Sequence, residues 1–213
     1  MSRKINPTGL RIGVTKDWKS TWFAEGSRYA ESVIEDYKIR SYLSKTLRTA
    51  GLSAIIIERS LKAVKLLIRV SKPGVVIGRK GSGLGLIREG IKKISSVDID
   101  LQVEEVTKPE ADARVVAEFI AMQLERRVHA RRAINTAADK AMDAGVKGVK
   151  IQIRGTIHGP NSIGTVEVVS RGAVPTQTLR ADIDFARAIS YTRGGTIGIK
   201  VWIYKGEIDK KVI

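Results

Sequence analysis

Few residues in this chain of 213 could perform catalysis, and their spacing argues against most reactions. The two histidines, His129 and His158, stand far apart with no HExxH or His-x-Glu pattern around either. Each therefore reads as a solvated or packed side chain and not as a metal ligand. There is no cysteine, which removes disulfides, thiolate nucleophiles and cysteine zinc sites together. No GxSxG or Walker A pattern occurs, and Gly81-Ser82-Gly83-Leu84-Gly85 lacks the spacing of a dinucleotide fingerprint. Asp182 and Asp184 lie at i, i+2 on one face of a predicted strand, a spacing a Mg²⁺-dependent nuclease could use. The competing account is an ion-paired surface with Arg180 or Arg187 nearby. No catalytic residue, metal or cofactor is expected, and the nuclease is carried as the rival from another class.

The remaining candidates are basic. Gly78-Arg79-Lys80-Gly81 follows the short apolar turn Val75-Val76-Ile77 and precedes a helix that Ser82 could cap. Glycines admit close approach of a nucleic-acid backbone, a helix N-terminus offers N–H groups to phosphates, and Arg79 and Lys80 add formal charge. From Lys62 through Arg88 there are seven basic residues and no acid. This is the context of a KH module binding RNA; the blander account is a flexible turn with a solvated basic face. A second cluster, Arg126, Arg127, Arg131 and Arg132, is also free of acids. On an unbroken helix Arg127 and Arg131 would stand about 40° apart, making a basic ridge suited to phosphates. A cation cluster at a helix C-terminus would account for one or two of these arginines more easily than for four.

The composition agrees with a polyanionic partner. Lys and Arg number 38 against 22 Asp and Glu, a net charge of +16, and the isoelectric point is about 10.2. Such an excess repels itself until a polyanion neutralises it, and nucleic acid is the commonest one. Residues 1–106 carry 20 basic and 11 acidic groups, residues 107–213 carry 18 and 11, so both halves read as binding surfaces. Aromatics are only 5% of the chain, which disfavours a stacking platform. Trp18, Trp22 and Phe23 read either as base-stacking groups or, preferably, as anchors onto the domain or a neighbouring protein. No apolar run approaches a membrane span, and the N-terminus lacks the apolar core of a secretory signal.

The elements that position these groups fall into an arm and two α+β domains. Residues 1–27 show no period and read as an extended arm that orders only against a partner. Residues 28–106 read α-β-β-α-α-β. Apolar residues at 3–4 spacing from Tyr29 to Leu47 end at Gly51, and Ala54–Arg59, Val64–Val70 and Val97–Val106 form strands. Residues 107–213 open at Pro109, taken as a helix's first position, and run through a helical stripe to Val128. A second helix, Ala133–Ala144, follows. Strands at Val149–Ile153, Thr165–Val169, Leu179–Ala188 and Ile197–Tyr204 suggest a mainly antiparallel sheet.

The chain resembles the bacterial type of the small-subunit ribosomal protein S-three family over nearly its whole length. The resemblance is carried by Lys4-x-Asn6-Pro7-x-Gly9-x-Arg11-x-Gly13, Trp18-x-Ser20-x-Trp22-Phe23-Ala24, Pro73 through Gly81, Lys108-Pro109-Glu110, Gln123-Leu124-Glu125-Arg126-Arg127, Leu179 through Asp184 and Gly198 through Glu207. It implies a type II KH domain, a C-terminal α+β domain and a place in the head of the small subunit, within cytoplasmic or organellar ribosomes. The implied partners are small-subunit rRNA, mRNA and neighbouring head proteins. In the family, arginines of the second domain line the channel through which mRNA enters and help unwind it. Arg131 and Arg132 match those positions, with Arg126 and Arg127 beside them. Asn135 replaces a lysine common in the family, Thr156–Ser170 departs from the family pattern, and no long basic tail follows Ile213. A free-standing KH regulator of mRNA is the nearer rival.

Overall fold

The computed structural model describes residues 4–60, 63–95, 98–157, 159 and 162–208. Lys62, Val97, His158 and the Lys80 side chain, all drawn on in the sequence reading, lie outside that description. The chain forms two compact units, one of residues 18–107 and one combining the residues through Asp17 with those from Lys108 onward.

The N-terminal stretch is not a single extended arm. Asn6 accepts the Thr8 N–H at 3.0 Å and Pro7 takes the first helical position, so a short helix α1 (Pro7–Arg11) forms. It is fixed to the C-terminal unit by Arg11, whose side chain is fully buried. The guanidinium donates to the carbonyls of Ala181 at 2.8 Å, Thr178 at 2.8 Å, Thr176 at 3.1 Å and Pro7 at 3.0 Å. Burial lowers its pKa, and the nearby Asp182 carboxylate opposes that shift. Further along, β1 (Ser20–Thr21) pairs in parallel with β2 of the other unit's sheet. Lack of period therefore reflects single-residue anchoring, not freedom.

The unit of residues 18–107 follows the expected order, with α2 (Ser27–Thr46), β2 (Leu52–Arg59), β3 (Ala63–Val70), α3 (Pro73–Ile77), α4 (Ser82–Lys92) and β4 (Asp98–Glu105). The sheet order is β1-β2-β3-β4, antiparallel between β2 and β3 and parallel at both edges. Val64, Leu66, Ile68 and Val70 alternate inward on β3 and meet Ile39 and Leu43 of α2 and Ile87 and Ile91 of α4. A polar network closes one end. The buried Asp36 carboxylate accepts from Trp22 Nε1 at 2.9 Å, Ser20 Oγ at 3.2 Å and Arg59 Nε at 2.8 Å. Arg59 also pairs with Glu35 at 2.8 Å. Burial would lower the Arg59 pKa, but its bonds to Glu35 and Asp36 prevail and raise it.

In the C-terminal unit, Pro109 opens a 3-10 turn (Pro109–Ala111) and not the helix itself. Helix α5 (Ala113–Glu125) starts one turn later, where Asp112 accepts from the Arg114 and Val115 N–H groups at 2.9 and 3.1 Å. Helix α6 (Ala130–Asp143) follows, then β5 (Gly148–Gly155), β6 (Thr165–Gly172), β7 (Ala181–Thr192) and β8 (Gly195–Glu207). The strands are antiparallel throughout, in the order β6-β5-β8-β7. Buried alanines of both helices, among them Ala117, Ala121, Ala137 and Ala141, let the helices lie close against Ile151, Ile153, Ile199 and Ile203.

Candidate nucleic-acid interface

The first candidate site is the turn between α3 and α4. Residues Arg79–Gly81 form a 3-10 turn that follows Gly78 and ends on Gly81, both glycines having positive φ, 68° and 82°. Gly81, not Ser82, is the residue that caps α4, and it does so with backbone alone. A Cβ on Gly78 would lie 2.9 Å from the Gly83 nitrogen, so a side chain there is excluded by space as well as by φ. The Arg79 side chain is exposed, and no acid pairs with it among the described residues. The turn thus presents bare backbone and cationic charge at the start of an eleven-residue helix.

The arginine cluster does not sit on one unbroken helix. Helix α5 ends at Glu125, Arg127 takes a left-handed φ of 61°, and α6 begins at Ala130. The N–H of Arg127 bonds to the Leu124 carbonyl at 3.0 Å and that of Val128 to the Gln123 carbonyl at 3.1 Å. This is a Schellman-type ending with arginine at the position glycine usually holds. The four arginines divide into two pairs. Arg126 and Arg127 close α5, where the helix dipole favours cations, while Arg131 and Arg132 occupy the first turn of α6, where it opposes them. All four are exposed and lack a carboxylate partner among the described residues. A helix-terminal cation effect therefore accounts for one pair only, and the other sits where an anion is favoured. His129, between them, is exposed and gives α6 no side-chain cap. Asn135 lies one turn further along α6, partly buried.

Left-handed arginine costs roughly 1 kcal/mol relative to glycine. Arg127→Gly is therefore expected to hold or slightly raise the thermal midpoint while removing one cation. A clear fall in the midpoint would mean that the Arg127 side chain has a stabilising partner.

The two aspartates have structural partners. A bulge between Asp182 and Ile183 breaks the simple i, i+2 relation. Asp182 pairs with Lys16 at 2.6 Å, and Asp184 accepts the Ala113 N–H at the start of α5 at 3.0 Å. Asp184 also lies 3.9 Å from Lys205 Nζ, so their partners are Lys16, Lys205 and a helix N-terminus, not Arg180 or Arg187, and no group of three or more potential metal ligands occurs among the described residues. Of the arm's aromatics, Trp22 is held by Asp36 and packs tilted against Tyr29 with ring centroids 5.5 Å apart, while Trp18 and Phe23 remain exposed.

An RNA-binding KH fold joined to a second α+β domain defines the class. Residues 38–111 match the KH domain family and residues 120–203 match the family described as Ribosomal protein S3, C-terminal domain. Proteins named small ribosomal subunit protein uS3 are similar along almost the whole chain. That of Synechocystis sp. is 49% identical over 210 residues, covering 98% of this chain and 87% of its own. That of Pseudoalteromonas atlantica is 45% identical over 208 residues (98% and 89%), and that of Shewanella loihica 45% over 213 (100% and 93%). The chain belongs to the uS3 family of ribosomal proteins. No helix among the described residues is long and apolar enough to cross a membrane.

Proposed function

We propose that this protein is a structural, non-enzymatic constituent of the small-subunit head that binds small-subunit rRNA and lines the channel through which mRNA enters. Arg126, Arg127, Arg131 and Arg132 meet the phosphates of incoming mRNA and help hold its strands apart. The observation that carries this reading is the pair Arg131 and Arg132, exposed, without an acidic partner among the described residues and set against the dipole of α6. An anion at that spot gains from both guanidiniums and from the free N–H groups of the helix start. Neighbouring head proteins are the further partners, and the ribosome, cytoplasmic or organellar, is the location.

The decisive measurement is translation by ribosomes carrying Arg131→Ala/Arg132→Ala. Passage through a stable mRNA hairpin should slow more than translation of an unstructured message, with assembly near normal. Equal slowing on both templates, or a block in assembly, overturns the assignment; in the latter case the pair would anchor rRNA.

Gly78, Arg79, Lys80 and Gly81 form the RNA contact of the KH unit on this reading. Arg79→Asp/Lys80→Asp should weaken binding of a short single-stranded RNA while leaving the thermal midpoint unchanged, because a loop substitution alters the field and not the core. Unchanged affinity would remove RNA binding from this turn.

A further inference from the structure

The face of the C-terminal sheet opposite the one packed on α5 and α6 carries a charge pattern that neither the KH turn nor the α5–α6 arginines explain. Lys150 and Arg154 of β5, Lys200 of β8 and Arg187 of β7 all lie on this face, together with Phe185 and Trp202. They border a groove of about 570 Å³ that Lys4 also lines, and no Asp or Glu lines it. None of the four sheet cations forms an ion pair among the described residues. Arg187 stands directly opposite Lys200 in the β7–β8 register, with Lys200 opposite Gln152 on the next strand. Like charges facing each other across an antiparallel pair are destabilising, and a water-facing sheet would ordinarily set an acid opposite one of them.

The aromatic pair organises this charge without neutralising it. Phe185 and Trp202 lie opposite each other with ring centroids 5.2 Å apart, and the Arg187 guanidinium sits 5.3 Å from the Phe185 centroid. Arg187 is thereby held over the sheet beside Lys200. With strands about 4.8 Å apart and a rise of about 3.3 Å per residue, the four cations cover an area of roughly 10 by 13 Å.

We propose that this face is a second, independent RNA-binding surface that takes the sugar–phosphate backbone of an rRNA strand. Phosphates between the strands relieve the Arg187–Lys200 repulsion and satisfy Lys150 and Arg154. A flat array of fixed cations with no acid among them fits a repeating anion better than a folded protein partner, whose surface would mix both signs. The proposal uses none of the residues of the KH turn or the α5–α6 junction, so it stands or falls separately from them.

Lysine acylation read by peptide mass spectrometry tests it on the full chain, free, bound to small-subunit rRNA alone, and in the assembled subunit. Lys150 and Lys200 should lose reactivity several-fold on rRNA alone. Undiminished reactivity on rRNA overturns the proposal, and protection only in the assembled subunit overturns it too, since a protein would then cover the face. As a second measurement, Arg187→Gln/Lys200→Gln should leave the thermal midpoint of the free protein unchanged or raised. It should also flatten the log–log salt dependence of binding to single-stranded RNA by about 1.4, or roughly 0.7 for each phosphate no longer neutralised. An unchanged slope would contradict the surface as drawn.

Discussion

Replacing Arg11 with methionine is expected to release the first helix from the C-terminal unit. The side chain holds four backbone carbonyls and has no exposed surface. Methionine fills a similar volume but donates nothing, so those carbonyls must either stay unsatisfied or reach water by opening the segment. Hydrogen bonds from a charged donor are the strong kind, and a loss of about 3 kcal/mol is expected, bounded above by what the docked segment itself contributes. Hydrogen exchange should then show residues 4–17 approaching open-chain rates while β5 and β8 remain protected. Arg11→Lys should recover little, because one ammonium cannot reproduce the planar fork. A lysine variant with native protection would show that charge, not geometry, fastens the segment.

Asp36→Ala should have a comparable effect on the KH unit. Asp36 is 6% exposed, and its carboxylate serves Arg59, Trp22 and Ser20 at once. Its removal leaves a half-buried guanidinium with Glu35 as its remaining acid and strands the Trp22 N–H. Breaking a buried pair on one side costs about 3–5 kcal/mol, and the surviving Glu35 contact puts the expectation near 3. For a unit of this size that corresponds to a drop in the melting midpoint of roughly 12–24 °C. A loss below about 1 kcal/mol would mean the network behaves like a solvent-screened surface pair. Asp36→Asn separates the contributions, since the amide oxygen can still accept from Trp22 but carries no charge.

These two residues mark where reading the sequence stopped short. Helix α2 was legible because Tyr29 through Leu47 keep a 3–4 spacing, but its end was not: it stops at Thr46, and Gly51, left-handed with φ 69°, closes the 3-10 turn Arg48–Ala50 that follows. Strand β3 was legible because its alternation is strict, and the turn at Gly78–Gly81 because glycine signals its own backbone. Arg11 and Asp36 gave no such signal. Their burial depends on carbonyls or donors distant in the chain, and no local pattern encodes those. The break at Arg127 was hidden for a different reason: a non-glycine residue with positive φ looks, in sequence, like any other helical arginine. Asn6-Pro7 is the instructive case, because an N-cap followed by proline does announce a helix, but one too short for periodicity to support it. The roles of Asp182 and Asp184 were half legible: pairing was expected, but its partners came from Lys16, Lys205 and the backbone of Ala113.

The division of the chain gives its biosynthesis a fixed order. Residues through Asp17 belong with those from Lys108 onward, so the KH unit is, in sequence, an insertion between two parts of the other unit. The acceptor Ala181 lies 170 residues after Arg11. At about 5–20 residues per second, that guanidinium waits some 8–34 s on the ribosome before its last carbonyl exists. The KH unit has all of its own chain within that interval and can fold while the N-terminal segment is still undocked. Closure of the C-terminal unit comes late, and its loop-closing entropy falls on a segment whose binding partner is made more than 150 residues after it.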